Sequence, residues 1–402
     1  MIAVILAQTI ALTGGTVYPV SGPKIEHATV VIQNGKITAV GANVTIPSDA
    51  TRIDVTGKWV TPGLIDGGGQ MGLVEISAVP GNREGTTQSD TIAASFNVAE
   101  GINPASHLIP VTRVEGVTTT LASPGGHLVS GQAVLIDLDG PTIESMLVKS
   151  PVGIVADISE EAKGEGGGSR AGISERLRAA LRDALEYERR KADFNRAAMQ
   201  PLSASAADLE ALLPVVHGRL PLIVIANRRS DIETALRIGR EFKLRLILAG
   251  AQEAWEIAPA IAAAGVPVLV EPLDNIPSYD ALGVRYENAA ALARAGVKVV
   301  LLENDTHNSR NLRQQAGNAV SYGLPWDQAL RAITLSPAEV FGVADRTGSL
   351  DVGKAANVVV WSGDPFEFST AVEHVFIRGK EIPLRSRQTE LLERYRTLPP
   401  AY

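Results

Sequence analysis

Cysteine is absent from this chain of 402 residues. A chain without thiols forms no disulfide and offers neither a thiolate metal ligand nor a cysteine nucleophile. The absence is compatible with the cytoplasm and with the periplasm. It therefore excludes kinds of site without indicating a compartment.

A surplus of positive charge is absent too. The chain has 37 lysines and arginines against 44 aspartates and glutamates, a formal net charge of -7 at pH 7. Because a phosphate-binding surface needs a concentrated basic patch, we expect no nucleic-acid partner. A small molecule or a short peptide is the expected substrate.

Long apolar runs are also missing. No run approaches the roughly 18 apolar residues of a transmembrane helix, so we expect no membrane association. The start of the chain, residues 1–8, is apolar and lacks a charged segment. It fits either a first β-strand or the remnant of a signal peptide cleaved after Ala7. The protein is cytoplasmic in the first case and periplasmic in the second.

Two motifs of known chemistry are not found. The chain has no Gly-x-Ser-x-Gly nucleophile elbow. Its glycine-rich segment, residues 160–170, lacks the strand-to-helix setting and the GK[ST] ending of a phosphate loop. We interpret this segment as a mobile linker beside the active-site face.

The residues that are present predict a globular α/β protein. With 45% hydrophobic and 20% charged residues, the chain is long enough for one large barrel and a smaller unit. Short alternating runs, with Asn34-Gly35 as a hairpin turn, predict a small sheet before residue 60. Similar runs at residues 357–361 and 372–380 predict that both ends of the chain build one β-unit.

Between these ends, apolar runs alternate with helical patterns, which is typical of a parallel βα barrel. The eight expected strands cover residues 64–70, 117–123, 133–138, 152–158, 222–226, 244–249, 266–270 and 297–302. The expected helices of the second half cover residues 230–242, 253–264, 286–295 and 309–322.

One stretch carries a family resemblance. Residues 62–66 read Pro-Gly-Leu-Ile-Asp, and this resembles the first barrel strand of the amidohydrolase superfamily, Pro-Gly-Leu-Ile-Asp-x-His-x-His. Residues 348–360 resemble the closing signature of the same family, with Asn357 where aspartate is usual. The resemblance points to the imidazolonepropionase-like branch of metal-dependent hydrolases. It implies a (β/α)8 TIM barrel at residues 61–347 and a small β-sandwich unit made of residues 1–60 and 348–402.

The resemblance also implies a metal centre, which in the family holds zinc or another divalent ion. The first-strand histidine positions fall on Gly68 and Gln70, and those of strands five and six on Ile225 and Ala249. Strand four carries no lysine at the bridging position. Because glycine and aliphatic side chains have no donor atom, we predict that this centre is absent and that no cofactor is bound.

The aspartate that follows strand eight in the family is matched by Asp305. The resemblance implies that it accepts a proton from the attacking water. His307 and His127 follow strands eight and two and can reach the C-terminal face, where barrel active sites lie. We name these three as catalytic candidates, with Asp305 as the base and a histidine as the proton donor. The alternative is that they are polar loop residues that bond to each other or to the backbone.

Three further residues are candidates for binding the substrate. Gln70 ends the first strand, and Glu303 is an acid at a strand end whose charge would help to raise the pKa of Asp305. Arg228 opens a helix at the same face and can hold a substrate carboxylate. For Arg228 the alternative is an exposed helix cap, and for Glu303 a structural role.

Two functions remain open. The first is a hydrolase that acts on a C–N bond of an amide, a cyclic amide or a peptide-like substrate, with a degenerate metal site. The second is a catalytically inactive relative that binds a small ligand or serves as the partner subunit of an active paralogue. A homo-oligomer is compatible with both functions.

Overall fold

The computed structural model describes residues 9–87, 91–274, 276–397 and 399. Within these residues, sixteen strands form two sheets. In chain order the strands are β1 (Thr9–Val17), β2 (Ile25–Gln33), β3 (Lys36–Gly41), β4 (Thr51–Asp54), β5 (Trp59–Pro62), β6 (Leu64–Asp66), β7 (Val117–Ala122), β8 (Val129–Asp137), β9 (Leu147–Asp157), β10 (Leu222–Ala226), β11 (Leu246–Gly250), β12 (Val268–Val270), β13 (Val299–Leu301), β14 (Val358–Trp361), β15 (Val372–Ile377) and β16 (Lys380–Glu381). The two interpretations of residues 1–7 concern positions outside the described residues.

Most of the α-helices follow β9 in the chain. The helices are α1 (Leu108–Arg113), α2 (Ile143–Met146), α3 (Arg170–Arg189), α4 (Lys191–Asn195), α5 (Ala206–Val216), α6 (Arg229–Phe242), α7 (Ala258–Ala263), α8 (Asn288–Arg294), α9 (Leu312–Ser321), α10 (Trp326–Ala332), α11 (Leu335–Val340) and α12 (Arg387–Tyr395). No helix in the described part of the chain is long and apolar enough to span a bilayer.

The first sheet is built from both ends of the chain. Its order is β16-β15-β14-β5-β1-β2-β3, and β4 pairs with β1. The two ends meet where β14 runs antiparallel to β5, with Val360 opposite Val60. The hairpin between β2 and β3 turns at Asn34 and Gly35, which both have positive φ, as a two-residue turn requires. The strands of this unit are hydrogen-bonded into one sheet, and its description as a sandwich stays a prediction. The domain bounds stay predictions.

The second sheet is a nearly closed barrel. Its eight strands lie in sequence order from β6 to β13. Alternate side chains point inward and fill the interior. These buried residues include Ile65, Leu121, Val155, Ile223, Ile247, Leu269 and Val300. The carboxyl ends of the parallel strands therefore open on one face above an apolar floor.

The expectation of a regular (β/α)8 repeat is wrong for one part of the barrel. Strand β8 runs antiparallel to β7 and to β9, while the other neighbouring pairs of this sheet are parallel. The reason lies in the connections, since only residues 123–128 separate β7 from β8. A parallel pair needs a crossover of a dozen residues or more, whereas an antiparallel pair needs only a short turn.

A buried polar network joins the two sheets at the opposite end of the barrel. Asp137 Oδ1 accepts hydrogen bonds from Thr119 Oγ1 at 2.8 Å and from Asn357 Nδ2 at 3.1 Å. Its Oδ2 lies 3.4 Å from Arg378 Nε. Burial raises the pKa of Asp137, and these three partners oppose that rise. Asn357 thus links the barrel to the terminal sheet.

Candidate functional site

A cavity of about 350 Å³ opens where the barrel strands end. Its lining comes from the ends of β6, β7 and β9 to β13 and from the loops that follow them. The lining residues are Gly67, Gly68, Gly69, Leu121, Ser123, Val155, Asp157, Ser159, Glu161, Ile223, Ile225, Asn227, Ala249, Gly250, Leu269, Asp274, Leu302 and Asn304. Its position on the C-terminal face makes it the candidate active site.

The glycines after β6 form one wall of this cavity. A Cβ atom on Gly67 would lie 2.7 Å from Val300 Cγ1, and one on Gly68 would lie 3.3 Å from Asn304 Oδ1 and from Leu302. The space for a side chain at residue 68 is therefore restricted by residues that follow β13. This wall presents backbone and the Asn304 amide to a ligand.

Asp157 is the half-buried carboxylate of the cavity. It ends β9, and its Oδ1 accepts a hydrogen bond from Ser159 N at 2.8 Å. Burial raises the pKa of Asp157 to about 6, the Ser159 hydrogen bonds oppose the rise, and the charges of Glu161 and Asp280 add to it. A carboxylate with this pKa can exchange a proton near neutral pH. Sequence reasoning missed Asp157, because the family resemblance implies a lysine on this strand. The available signal was an acid at the C-terminal end of a barrel strand.

Asn304 is held in the cavity wall by a second carboxyl group. Its Nδ2 donates to Glu271 Oε2 at 2.9 Å. Gln315 Nε2 bridges Glu271 Oε1 at 3.2 Å and Glu303 Oε2 at 2.8 Å. Burial and the neighbouring charge of Glu303 raise the pKa of Glu271 to about 8, so the pair retains a proton at neutral pH. Glu303, the second member of this pair, is buried and is not a lining residue.

Asp305 and His307 lie together outside the cavity lining. His307 Nδ1 is 3.5 Å from Asp305 Oδ1, and His307 Nε2 is 3.1 Å from Glu75 O. The oxygens of Asp305 also accept from His307 N at 3.1 Å and from Asn308 Nδ2 at 2.8 Å. The Asp305 side chain is 53% exposed. The burial that the base mechanism requires is therefore not found at Asp305, and its catalytic role stays a prediction.

His127 contacts segments other than the Asp305 loop, whereas Gln70 N donates to Thr306 Oγ1 of that loop at 2.8 Å. His127 Nε2 contacts Thr87 O, and its Nδ1 lies 3.7 Å from Glu165 Oε1. Gln70 Nε2 donates to Ser123 O at 3.3 Å. Neither residue lines the cavity. The structure thus pairs Asp305 with His307 but gives His127 different partners.

Arg228 precedes α6 as its N-terminal cap residue. Its carbonyl oxygen accepts from the backbone nitrogen of Asp231 at 3.0 Å, and its side chain is partly exposed. It does not line the cavity. These contacts correspond to the cap alternative, and a role in binding substrate stays a prediction.

The residues around the cavity do not fit the metal centre that the resemblance implies. Its lining includes three carboxylates, of Asp157, Glu161 and Asp274, but no histidine. No group of three or more histidine, aspartate or glutamate side chains that can hold a metal ion occurs among the described residues. Catalytic zinc takes about three protein ligands, commonly imidazole nitrogens. The prediction of an absent metal centre remains one for elemental analysis.

Comparisons with known proteins agree on a family. The sequence model of the Amidohydrolase family matches residues 220–382. The chain is 25% identical to an amidohydrolase, tasK, of Hapsidospora irregularis over 87% of its own length, but it spans only 39% of that relative. It is 24% identical to an imidazolonepropionase of Mesorhizobium japonicum, covering 84% of this chain and 87% of the relative.

Solved structures extend the comparison to the fold. The crystal structure of an amidohydrolase from Thermotoga maritima superposes with a TM-score of 0.86 at 29% identity and covers 94% of this chain and 100% of that one. A prolidase complexed with N-methylphosphonate-L-proline has a TM-score of 0.56 at 20% identity, covering 93% and 99% of the two chains. The second likeness concerns the fold alone.

Proposed function

Since the chain belongs to the amidohydrolase superfamily, we propose that it hydrolyses a C–N bond of a small substrate in the barrel cavity, with Asp157 as the base. The observation that supports this proposal is a half-buried carboxylate at the end of a barrel strand, in a cavity, with its pKa raised to about 6. Groups with such displaced pKa values are concentrated at functional sites.

The proposed reaction needs one proton carrier. Ionised Asp157 takes a proton from water while the water oxygen attacks the carbonyl carbon of the substrate. The C–N bond then breaks, and the proton passes from Asp157 to the leaving nitrogen. The products are a carboxylic acid and an amine, and Asp157 is ionised again. General acid–base catalysis of this kind contributes roughly a hundredfold to ten thousandfold.

No cofactor is part of the proposal. Zinc or another divalent ion is usual in the family, but the cavity offers no histidine to bind one. A bound metal ion would lower the pKa of water from about 15.7 to about 7. Asp157 has to activate water without that help, so we expect a modest rate.

The assignment from the resemblance is kept as a competing one. In it Asp305 is the base, and His307 or His127 donates the proton to the leaving nitrogen. Gln70 and Arg228 are then proposed contacts for a substrate that reaches beyond the cavity, and Glu303 supports the Asp305 loop, since its Oε1 accepts from Asp305 N at 3.3 Å.

A second candidate function is binding of a small ligand without turnover, alone, as a homo-oligomer or as the partner subunit of an active paralogue. The observation in its favour is the donor set of the cavity, which lacks the ligands that a catalytic metal ion requires.

The two functions differ in whether an amine is released. Protein treated with a chelator and checked by elemental analysis is incubated with a panel of amides, cyclic amides and dipeptides, and released amine is measured by mass spectrometry. We expect activity that Asp157→Asn abolishes and Asp305→Asn preserves. Loss of activity only in Asp305→Asn would favour the competing assignment, and no turnover of any substrate would favour ligand binding.

A further inference from the structure

We infer that the ligand of this cavity carries a positive charge, a guanidinium or an ammonium group, which Asp157, Glu161 and Asp274 select. The inference rests on the proposed function in one respect, because it takes the barrel cavity as the substrate site. It adds the charge of the substrate to the proposed reaction.

The charged residues of the cavity are of one sign. Asp157 ends β9, Glu161 begins the 161–164 turn, and Asp274 lies after β12. The lining contains no lysine, arginine or histidine. Acidic side chains that converge on a small cavity produce a negative potential, which attracts cations and repels carboxylates.

Acids just outside the cavity differ from those inside it in how they are paired. Arg170 binds Glu160 at 2.7 Å, Asp231 at 2.9 Å and Asp280 at 2.8 Å. The positive charge of Arg170 is thus already shared by three carboxylates that do not line the cavity.

The cavity acids have neutral partners instead. Asp157 accepts from Ser159 N, and Asp274 Oδ2 accepts from the Gln252 amide. Within the described ranges, none of the three cavity acids forms an ion pair within 4.0 Å of a lysine, arginine or histidine. Glu161 and Asp274 are exposed, but Asp157 is half-buried, and a half-buried carboxylate without a cation is costly because desolvation disfavours its charge. A cationic ligand supplies the missing partner.

The uncharged residues of the lining indicate the size and polarity of the rest of the ligand. Leu121, Leu269 and Leu302 provide an apolar floor, and the Asn304 amide oxygen faces the glycine wall. The volume of about 350 Å³ is near the lower end for small-molecule sites. We therefore expect a cationic head group on a short apolar body.

The wall that carries Asp274 is fixed to the barrel by Asp280. Asp280 Oδ2 accepts from Asn227 Nδ2 at 2.9 Å, and its Oδ1 accepts from Glu160 N at 3.2 Å. These bonds tie the segment after β12 to the segments after β9 and β10. The three selecting acids are thereby held around one opening.

Two probes of the same shape test the inference. The n-butylguanidinium ion and n-butylurea differ by an NH₂ group in place of an oxygen and by one positive charge. Isothermal titration calorimetry at pH 7.5 is expected to give at least tenfold tighter binding of the cation, since a charge-assisted hydrogen bond stabilises by about 1.5–3 kcal/mol and 1.4 kcal/mol is tenfold. Asp157→Asn and Asp274→Asn should each weaken binding of the cation several-fold and leave binding of the urea unchanged.

The control is Asp345→Asn, an exposed acid outside the cavity, which should change neither affinity. Because Asp274 is exposed, its variant keeps the test valid even if Asp157→Asn folds poorly. Equal affinity for both probes, preference for the urea, or no binding of either at 10 mM (about the weakest affinity of interest) would overturn the inference. Cation binding without any amide turnover would instead overturn only the hydrolase proposal, and turnover of neutral amides without preference for cations would overturn only this inference.

Discussion

Replacing Asp157 by asparagine separates the stability of the protein from its proposed catalysis. Asparagine has nearly the same shape, and its Oδ1 can still accept the hydrogen bond from Ser159 N, which is 2.8 Å long in the native protein. The substitution removes only the ability to carry charge and to exchange a proton. A catalytic carboxylate should then be lost while the fold becomes more stable.

The magnitude follows from the pKa. Burial raises the pKa of Asp157 from 3.8 to about 6, and two units correspond to roughly 3 kcal/mol at 1.36 kcal/mol per unit. Between these values the native state binds more protons than the unfolded state, so the contribution of this group to stability is largest below pH 4 and is lost as the pH rises through 6. At pH 8 the asparagine variant should therefore be more stable than the native protein by up to about 3 kcal/mol.

Urea unfolding at pH 4.5 and pH 8 measures this difference, and amide turnover measures the catalytic role. We expect the native protein to lose more stability than the variant between the two pH values, and turnover in the variant to fall at least about a hundredfold. Asp345→Asn, at an exposed carboxylate, serves as the control. An unchanged pH dependence of stability in Asp157→Asn would refute the assigned burial, and unchanged turnover would refute the assigned base.

Four other outcomes are expected. The kcat/KM of the native enzyme should rise with pH through about 6, where Asp157 ionises, and a profile that is flat from pH 5 to 8 would contradict its role as a base. Glu271→Gln should flatten the loss of stability as the pH rises towards 8. The native carboxyl group has a pKa of about 8 and keeps its proton where the unfolded chain has released it, so the free energy of unfolding falls by up to about 1.4 kcal/mol per pH unit. Urea unfolding at pH 6 and 9 shows whether this difference exists. Asp137→Ala should destabilise the protein by about 3 kcal/mol, since it leaves buried partners without an acceptor, and a thermal unfolding temperature equal to that of the native protein would argue against the network. Gly116→Ala should lower this temperature too, because its Cβ would lie 2.4 Å from Trp361 at a φ of +90°, whereas exposed Gly57 offers a control glycine with open space around it.

Much of the fold could be predicted because its signals are local. Strand β10 was expected at residues 222–226 and is found at Leu222–Ala226, and the helix expected at residues 230–242 is found at Arg229–Phe242. The turn at Asn34 and Gly35 follows from the φ values these residues tolerate. The reversed direction of β8 was missed, because apolar periodicity predicts a strand and not its direction.

The site was harder to predict because burial and pairing depend on distant residues. The sequence placed Asp305 at a strand end, but only the fold reveals that its side chain is half exposed while the preceding residue, Asn304, faces the cavity. The bridge between Glu271 and Glu303 joins the ends of two strands and depends on the α9 residue Gln315. No local pattern of residue types predicts such a contact.

The charge of the cavity links the proposed base to the proposed substrate. In a metal-dependent site a divalent cation balances the carboxylates around it. Here the residues that line the cavity offer its acids no such partner, and burial raises the pKa of Asp157 to about 6, so that Asp157 is protonated more readily than an exposed aspartate. A cationic ligand bound nearby favours the ionised form and lowers this pKa again. In this proposal the binding of a cation and the formation of the base are one linked equilibrium, so a neutral analogue of the substrate would be expected to bind weakly and also to meet a larger fraction of protonated, inactive Asp157.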